Sequence, residues 1–287
     1  MSISFLNGDY MPLEEARISP LDRGFLFGDG IYEVIPYYKG KSVGLMPHIE
    51  RMINGLAAIE IKCTKTADEW KELLDDLVAR NESMGDNLGV YVHVSRGADV
   101  KRYHPYPEGV EPTVFCFCFN IKDPEPVDRT KVTQYSLVST EDLRWQRCHI
   151  KSTALLGNVI HFQEGYSSGA DEALLYNANG ELTEGSSCNA FIVKDGVIAT
   201  PIQDNQILPG ITRRIILDSL KADGSLQVEE RTITMDEVRD ADEIWITSSS
   251  KEIAPVTKLD GKPVGDGSVG EIWEKAFAIY TASKYDF

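Results

Sequence analysis

The sequence predicts an α/β or α+β protein of two lobes, with mixed sheets and packed helices. Three observations predict it. Alternating runs of β-branched and aromatic residues are interleaved with helix-length amphipathic stretches. A proline- and charge-rich break, KDPEPVDRT, interrupts the chain at 122–130. And 287 residues are long for one compact core and comfortable for two. The expected division is an N-terminal α/β domain at 1–121, an interdomain linker at 122–130 and a C-terminal domain at 131–287.

In order along the chain, Asn7-Gly8 in SISFLNGDYMPLEE marks a tight hairpin between two short strands. FGDGIYEVIPYYKGKSVGL is β-rich with a Lys39-Gly40 turn, and MPHIERMINGLAAI follows as a helix. TKTADEWKELLDDLVARNES places Trp70, Leu73, Leu74, Leu77 and Val78 on one helical face that must pack on a sheet. LGVYVHVSRG and PTVFCFCFNI read as its later strands. Beyond the linker come a strand at KVTQYSLVS, a helix through LLGNVIHFQEGY, and strands at EALLYN and NAFIVKDGVIAT. ITRRIILDSLK is a helix and LQVEERTI a strand; Thr234 and Glu237 form a capping box before the strand EIWITS. A last helix carries Ile272, Trp273, Ala276, Phe277 and Tyr280 on one side.

Charge excludes several classes of partner. The 29 Lys+Arg against 45 Asp+Glu give a net charge of -16, which repels nucleic acid and anionic membrane surfaces. Any anionic ligand must then be held by a few local basic groups and backbone N–H donors. No segment approaches the roughly twenty apolar residues that a membrane span needs, and MSISFLNGDYM lacks the pattern of a secretion signal. Five cysteines, at 63, 116, 118, 148 and 188, argue for a reducing compartment, so the cytoplasm is expected. Cys116 and Cys118 fall on one strand face as small hydrophobes, and no metal site is expected.

Lys151, in RCHIKSTALLGN, sits at an apolar junction before a helix. A lysine buried there has its charged form disfavoured, which frees an amine able to form a Schiff base. Glu184 follows a strand in GELTEGSSCNAF and could hold a pyridine nitrogen protonated. In ILPGITRRII, Pro209-Gly210 turns the chain and Ile211-Thr212 open a helix whose free N–H groups suit a phosphate. Arg51, in HIERMINGL, could supply the positive charge.

Taken in order, FGDGIYEV, HIERM, RCHIKSTALLGN, LTEGSSCNAFIVKDG, ILPGITR and ITSSSKEIAPV resemble the class IV pyridoxal-phosphate aminotransferases, the family of D-amino-acid and branched-chain aminotransferases. The resemblance covers nearly the whole chain. It implies fold type IV, pyridoxal 5'-phosphate as cofactor, a C-terminal cofactor-binding domain, and an active site between domains. It makes Lys151 the lysine that forms the Schiff base and moves the proton, and Glu184 the partner of the pyridinium nitrogen. Arg51, Ile211, Thr212 and Ser249 match the phosphate contacts; the family usually has threonine where Ser249 stands. Leu208 matches an apolar residue against the ring, and Arg144 a supporting arginine of the D-amino-acid enzymes.

DVKRYHPYPEG resembles the carboxylate trap of D-amino-acid aminotransferases, with Arg102 and His104 supplied by a neighbouring subunit and working with Tyr32. Its approach is one residue longer than that pattern. The resemblance therefore implies a homodimer with shared active sites that transfers nitrogen from a D-alanine-like donor to a 2-oxo acid, such as 2-oxoglutarate or pyruvate, by a ping-pong route. The alternatives are an (R)-amine aminotransferase, a branched-chain aminotransferase, an aminodeoxychorismate lyase and a non-catalytic cofactor-binding protein. Branched-chain enzymes typically carry a tyrosine five residues after the lysine, where this chain has Leu156.

Overall fold

Asn7 and Gly8 adopt φ of 50° and 110° and close the first hairpin, as the Asn-Gly pair predicts. In the computed structural model, which describes residues 2–287, the chain clusters into two units. The first holds the residues up to Asp123 together with Ile150–Leu155 and the terminal Phe287. The second holds Pro124–His149 and Leu156–Asp286.

The elements of the first unit are β1 (Ile3–Leu6), β2 (Asp9–Pro12), α1 (Arg23–Phe27), β3 (Gly30–Tyr38), β4 (Lys41–Ser42), α2 (Leu45–Ala58), α3 (Ala67–Arg80), β5 (Asn87–Ser95) and β6 (Thr113–Asn120). The strands form one antiparallel sheet in the order β2-β1-β6-β5-β3-β4. Helices α2 and α3 cover it. Trp70, Leu73, Leu74, Leu77 and Val78 all face the core, where they meet Ile35, Ile49, Met52, Val90 and Val92. Thr66 and Glu69 cap α3 reciprocally, which fixes where it starts. Cys116 and Cys118 lie in this core, and burial pushes both thiols up, so they are inert packing groups.

The second unit contains β7 (Tyr135–Glu141), α4 (Leu156–Ser167), β8 (Glu172–Tyr176), β9 (Leu182–Gly185), β10 (Asn189–Lys194), β11 (Val197–Thr200), α5 (Ile211–Asp223), β12 (Val228–Glu230), α6 (Met235–Arg239), β13 (Glu243–Ser248), β14 (Glu252–Leu259), β15 (Lys262–Pro263) and α7 (Glu271–Ser283). Among the described residues its sheet runs β12-β11-β10-β13-β14-β7-β8-β9, with β15 on β14. It is mixed: β7 pairs in parallel with β8 and β14, β11 with β12, and the other pairs are antiparallel.

Helices α5 and α7 pack on each other and on β13. The Thr234–Glu237 capping box is present at α6. Of the stripe expected on the last helix, Trp273, Ala276, Phe277 and Tyr280 are buried and Ile272 is half-buried. The sequence reading passes over β14 as a strand. Pro255, opposite Trp245, sits in its middle and breaks the usual strand signature.

Candidate active site

Each unit carries some of the residues singled out in the sequence and builds its own group locally. In the first, Lys151 lies before α4 on an extended strap laid along the beginning of β3. Tyr32 N donates to Lys151 O at 3.0 Å, Thr153 N donates to Gly30 O at 2.9 Å, and Ile31 bridges to Ser152. The helix expected through LLGNVIHFQEGY begins at Leu156, after the strap. Gly28, with φ 66°, lets the strap come this close: a Cβ there would meet Ala154 Cα at 2.8 Å. The half-buried Lys151 projects its Nζ to 4.2 Å from the centroid of the Tyr32 ring. Tyr32 in turn stacks on Tyr91, at 5.8 Å between centroids.

Alternation along β3 turns Glu33 to the opposite face from Tyr32. There it meets His48 and Arg51, which the i, i+3 spacing places on one face of α2. Arg51 Nε donates to Glu33 Oε1 at 2.8 Å and Arg51 Nη2 to Oε2 at 2.6 Å, while His48 Nδ1 lies 2.7 Å from Oε2. Burial works against the charged carboxylate, yet Arg51 and His48 hold Glu33 down at about 2. Burial also lowers the pKa of His48. Sequence reasoning singles out Arg51 and misses Glu33, although the alternation in GIYEV carries the signal.

Arg102 and His104 are exposed on the loop between β5 and β6, and both reach the same ring. The Arg102 guanidinium lies 5.1 Å from the Phe27 centroid, and the His104 ring is centred 5.4 Å away.

In the second unit, Glu184 lies on β9 itself rather than after a strand, and it is buried. Three donors close on its carboxylate. Arg144 Nη1 donates to Oε1 at 2.7 Å, Asn189 Nδ2 to Oε2 at 2.9 Å and Leu208 N to Oε2 at 3.0 Å. Asp142, paired with Arg144 at 2.8 Å, orients the guanidinium. Burial pushes the Glu184 carboxyl up to about 7, against the pull of Arg144.

Leu208 is half-buried and leads into the turn before α5, where Gly210 stands as N-cap with no side-chain cap. The first N–H groups of α5, at Ile211 and Thr212, therefore lack the usual side-chain acceptor. Asn189 Nδ2 also donates to Leu208 O at 2.9 Å, tying the carboxylate to this turn. Opposite Asn189, across the β10–β13 ladder, the Thr247 hydroxyl is buried with no hydrogen-bond partner among the described residues. Ser249 follows, half-buried, in the turn after β13.

Residues 30–259 match the family model described as amino-transferase class IV. The chain belongs to the class IV aminotransferases. A D-alanine aminotransferase of Staphylococcus aureus strain MW2 is 39% identical to it over 269 residues, 93% of each chain. The branched-chain amino acid aminotransferase of Escherichia coli superposes with a TM-score of 0.89 at 23% identity, over 98% of this chain and 93% of that one. The branched-chain aminotransferase of the archaeon Thermoproteus uzoniensis, solved with norvaline, gives 0.88 at 24% identity, over 100% and 96%. Fold type IV is thus the fold of this chain.

Class IV aminotransferases use pyridoxal 5'-phosphate, and the residues present fit that group. The fit rests on the chemistry of the donors. An amine sits over an aromatic ring, a carboxylate is buried and held by three donors, a long helix starts uncapped, and the Thr247 hydroxyl, paired in register with Asn189, has no hydrogen-bond partner among the described residues.

Proposed function

We propose that this class IV aminotransferase acts on D-amino acids, taking nitrogen from a D-alanine-like donor and passing it to a 2-oxo acid such as 2-oxoglutarate or pyruvate. The observation that carries the substrate class is the meeting of Arg102 and His104 at the Phe27 ring, which sets a guanidinium and an imidazole together for one carboxylate. The relatives named D-alanine aminotransferase support the same reading.

Bound pyridoxal phosphate supplies an electron sink that acidifies the α-carbon of an attached amine. Lys151 Nζ would hold the cofactor and, once released by the donor amine, would be the base that takes the proton from the donor's α-carbon and carries it across to the cofactor side. The Tyr32 ring beneath Nζ limits where that amine points. Glu184 would keep the pyridine nitrogen protonated, and Arg144, Asn189 and the Leu208 N–H fix the carboxylate for that task. Arg51, the Ile211 and Thr212 N–H groups and the Ser249 hydroxyl would hold the phosphate, with Leu208 as an apolar neighbour of the ring. The donor and acceptor bind in turn at one place, so the sequence is ping-pong.

The working unit in this reading is a homodimer in which Arg102 and His104 join Tyr32 of the neighbouring copy. Helix α4 supports it: Leu156, Val159, Ile160 and Tyr166 form a stripe that is 72%, 58%, 51% and 69% exposed, a patch suited to a second copy. Five unpaired thiols support a reducing compartment, the cytoplasm. No helix among the described residues is long and apolar enough to cross a membrane.

The test is the absorption spectrum of the cofactor-loaded protein mixed separately with D-alanine, L-alanine, L-leucine and an (R)-amine. Bleaching of the band near roughly 400 nm by D-alanine but not by either L-amino acid is expected. Bleaching by L-leucine alone would move the chain to the branched-chain activity, and by the (R)-amine alone to amine transfer.

A further inference from the structure

The loop carrying Arg102 and His104, residues 98–112, has almost no regular structure, and its side chains from Lys101 to Tyr106 are exposed. A loop of this length ordinarily samples many conformers. This one is gripped from beneath by two buried arginines. Arg23, 3% exposed, donates from Nη1 to Tyr103 O at 2.5 Å and from Nη2 to His104 O at 3.0 Å. Its Nε donates to Asp29 Oδ2 at 2.8 Å.

Arg96, 6% exposed, takes the other side of the same carboxylate, donating to Oδ2 at 2.8 Å and to Oδ1 at 3.0 Å. Its guanidinium also lies 3.4 Å from the Tyr106 ring centroid and donates to the carbonyls of Ile59 and Glu60. Burial works against a charged Asp29, but Arg96 and Arg23 together hold its carboxyl below the usual range. Phe27 completes the seat: Arg23 and Arg102 lie 4.8 and 5.1 Å from its centroid, and His104 stands beside it.

We infer that Arg23, Asp29 and Phe27 are positioning residues for carboxylate recognition: Asp29 aims Arg23 at the Tyr103 and His104 carbonyls, and Phe27 seats the Arg102 and His104 side chains. The inference rests on the proposed role of those two residues. Its physical content is that the loop is ordered when the protein folds, so substrate binding does not bear that cost. Only a planar guanidinium reaches one carboxylate and two carbonyls at once, so lysine at 23 keeps the charge and loses the grip.

The test compares Arg23→Lys and Phe27→Leu with the parent protein, each loaded with cofactor. KM for D-alanine should rise about tenfold while kcat stays within about twofold, because the geometry of binding and not the chemistry is disturbed. Cofactor affinity should be unchanged, and hydrogen exchange across 98–112 should quicken. Unchanged KM with faster exchange would overturn the inference, as would equal losses in kcat and cofactor affinity. If the parent protein turns over L-leucine in place of D-alanine, the proposed substrate falls instead, and the same KM comparison is read with L-leucine.

Discussion

Asn189 and Gly210 touch so closely that a Cβ on Gly210 would lie 1.9 Å from Asn189 Oδ1. Because Asn189 Nδ2 holds both Glu184 and the Leu208 carbonyl, the glycine sets the spacing between the buried carboxylate and the start of α5. Gly210→Ala should therefore cost about 1–3 kcal/mol of stability through overpacking. Cofactor affinity should fall with it. Urea unfolding and a pyridoxal-phosphate titration measure the two, and an unchanged midpoint with unchanged affinity would show that the turn gives way freely.

Acid should unfold the first unit through Glu33. Its pKa is depressed from 4.5 to about 2, so its stabilisation is fully present above about pH 4.5 and is lost as pH falls toward 2. A shift of that size corresponds to on the order of 3 kcal/mol. His48, lowered by burial, acts in the same direction at somewhat higher pH. Glu33→Gln should weaken the protein at neutral pH and flatten the acid limb of a stability-against-pH curve; an equally steep limb would assign the loss to other groups.

Lys151→Ala should lower turnover by about 10²- to 10⁴-fold, the range for removal of a group that transfers protons. The visible band of the bound cofactor should also vanish. Glu184→Gln should instead keep the band and lose about 10²-fold in kcat, as expected when a charge that stabilises the reaction is removed. Normal turnover by either variant would sink the assignment of roles.

Ile160→Glu places a charge in the exposed stripe of α4. In the dimer proposed above it should give monomers in light scattering and remove D-alanine turnover, because each proposed site would lose the neighbouring loop. A dimer that survives the change would place the second copy on another surface.

Local signals were the ones legible in the sequence. The Asn7-Gly8 hairpin, the apolar face of α3 and the Thr234–Glu237 cap depend on residues a few positions apart, and all three are present. β14 hid behind Pro255, whose missing N–H argues against a strand until the partner residues are known. Lys151 was found, but its setting was not. Nothing local in KSTAL says that the segment pairs with Gly30–Tyr32. The pairings of Glu33, Asp29, Arg23 and Arg96 carry no local signal for the same reason. A charge is worth burying only beside partners dozens of residues away, and spacing does not report those.

The strap has one more consequence, for recombination between relatives. Ile150–Leu155 belongs with the first unit, while the residues immediately before and after it belong with the second. A gene fusion joined near residue 123 would import Lys151 with the second parent's sequence and leave Gly28, Gly30 and Tyr32 from the first. The lysine would then have to be seated by a strand and a glycine drawn from a different parent. The seat of Lys151 is thus a shared possession of the two gene segments, and chimeras of this scaffold should tolerate exchange only when the 150–155 piece travels with the N-terminal parent.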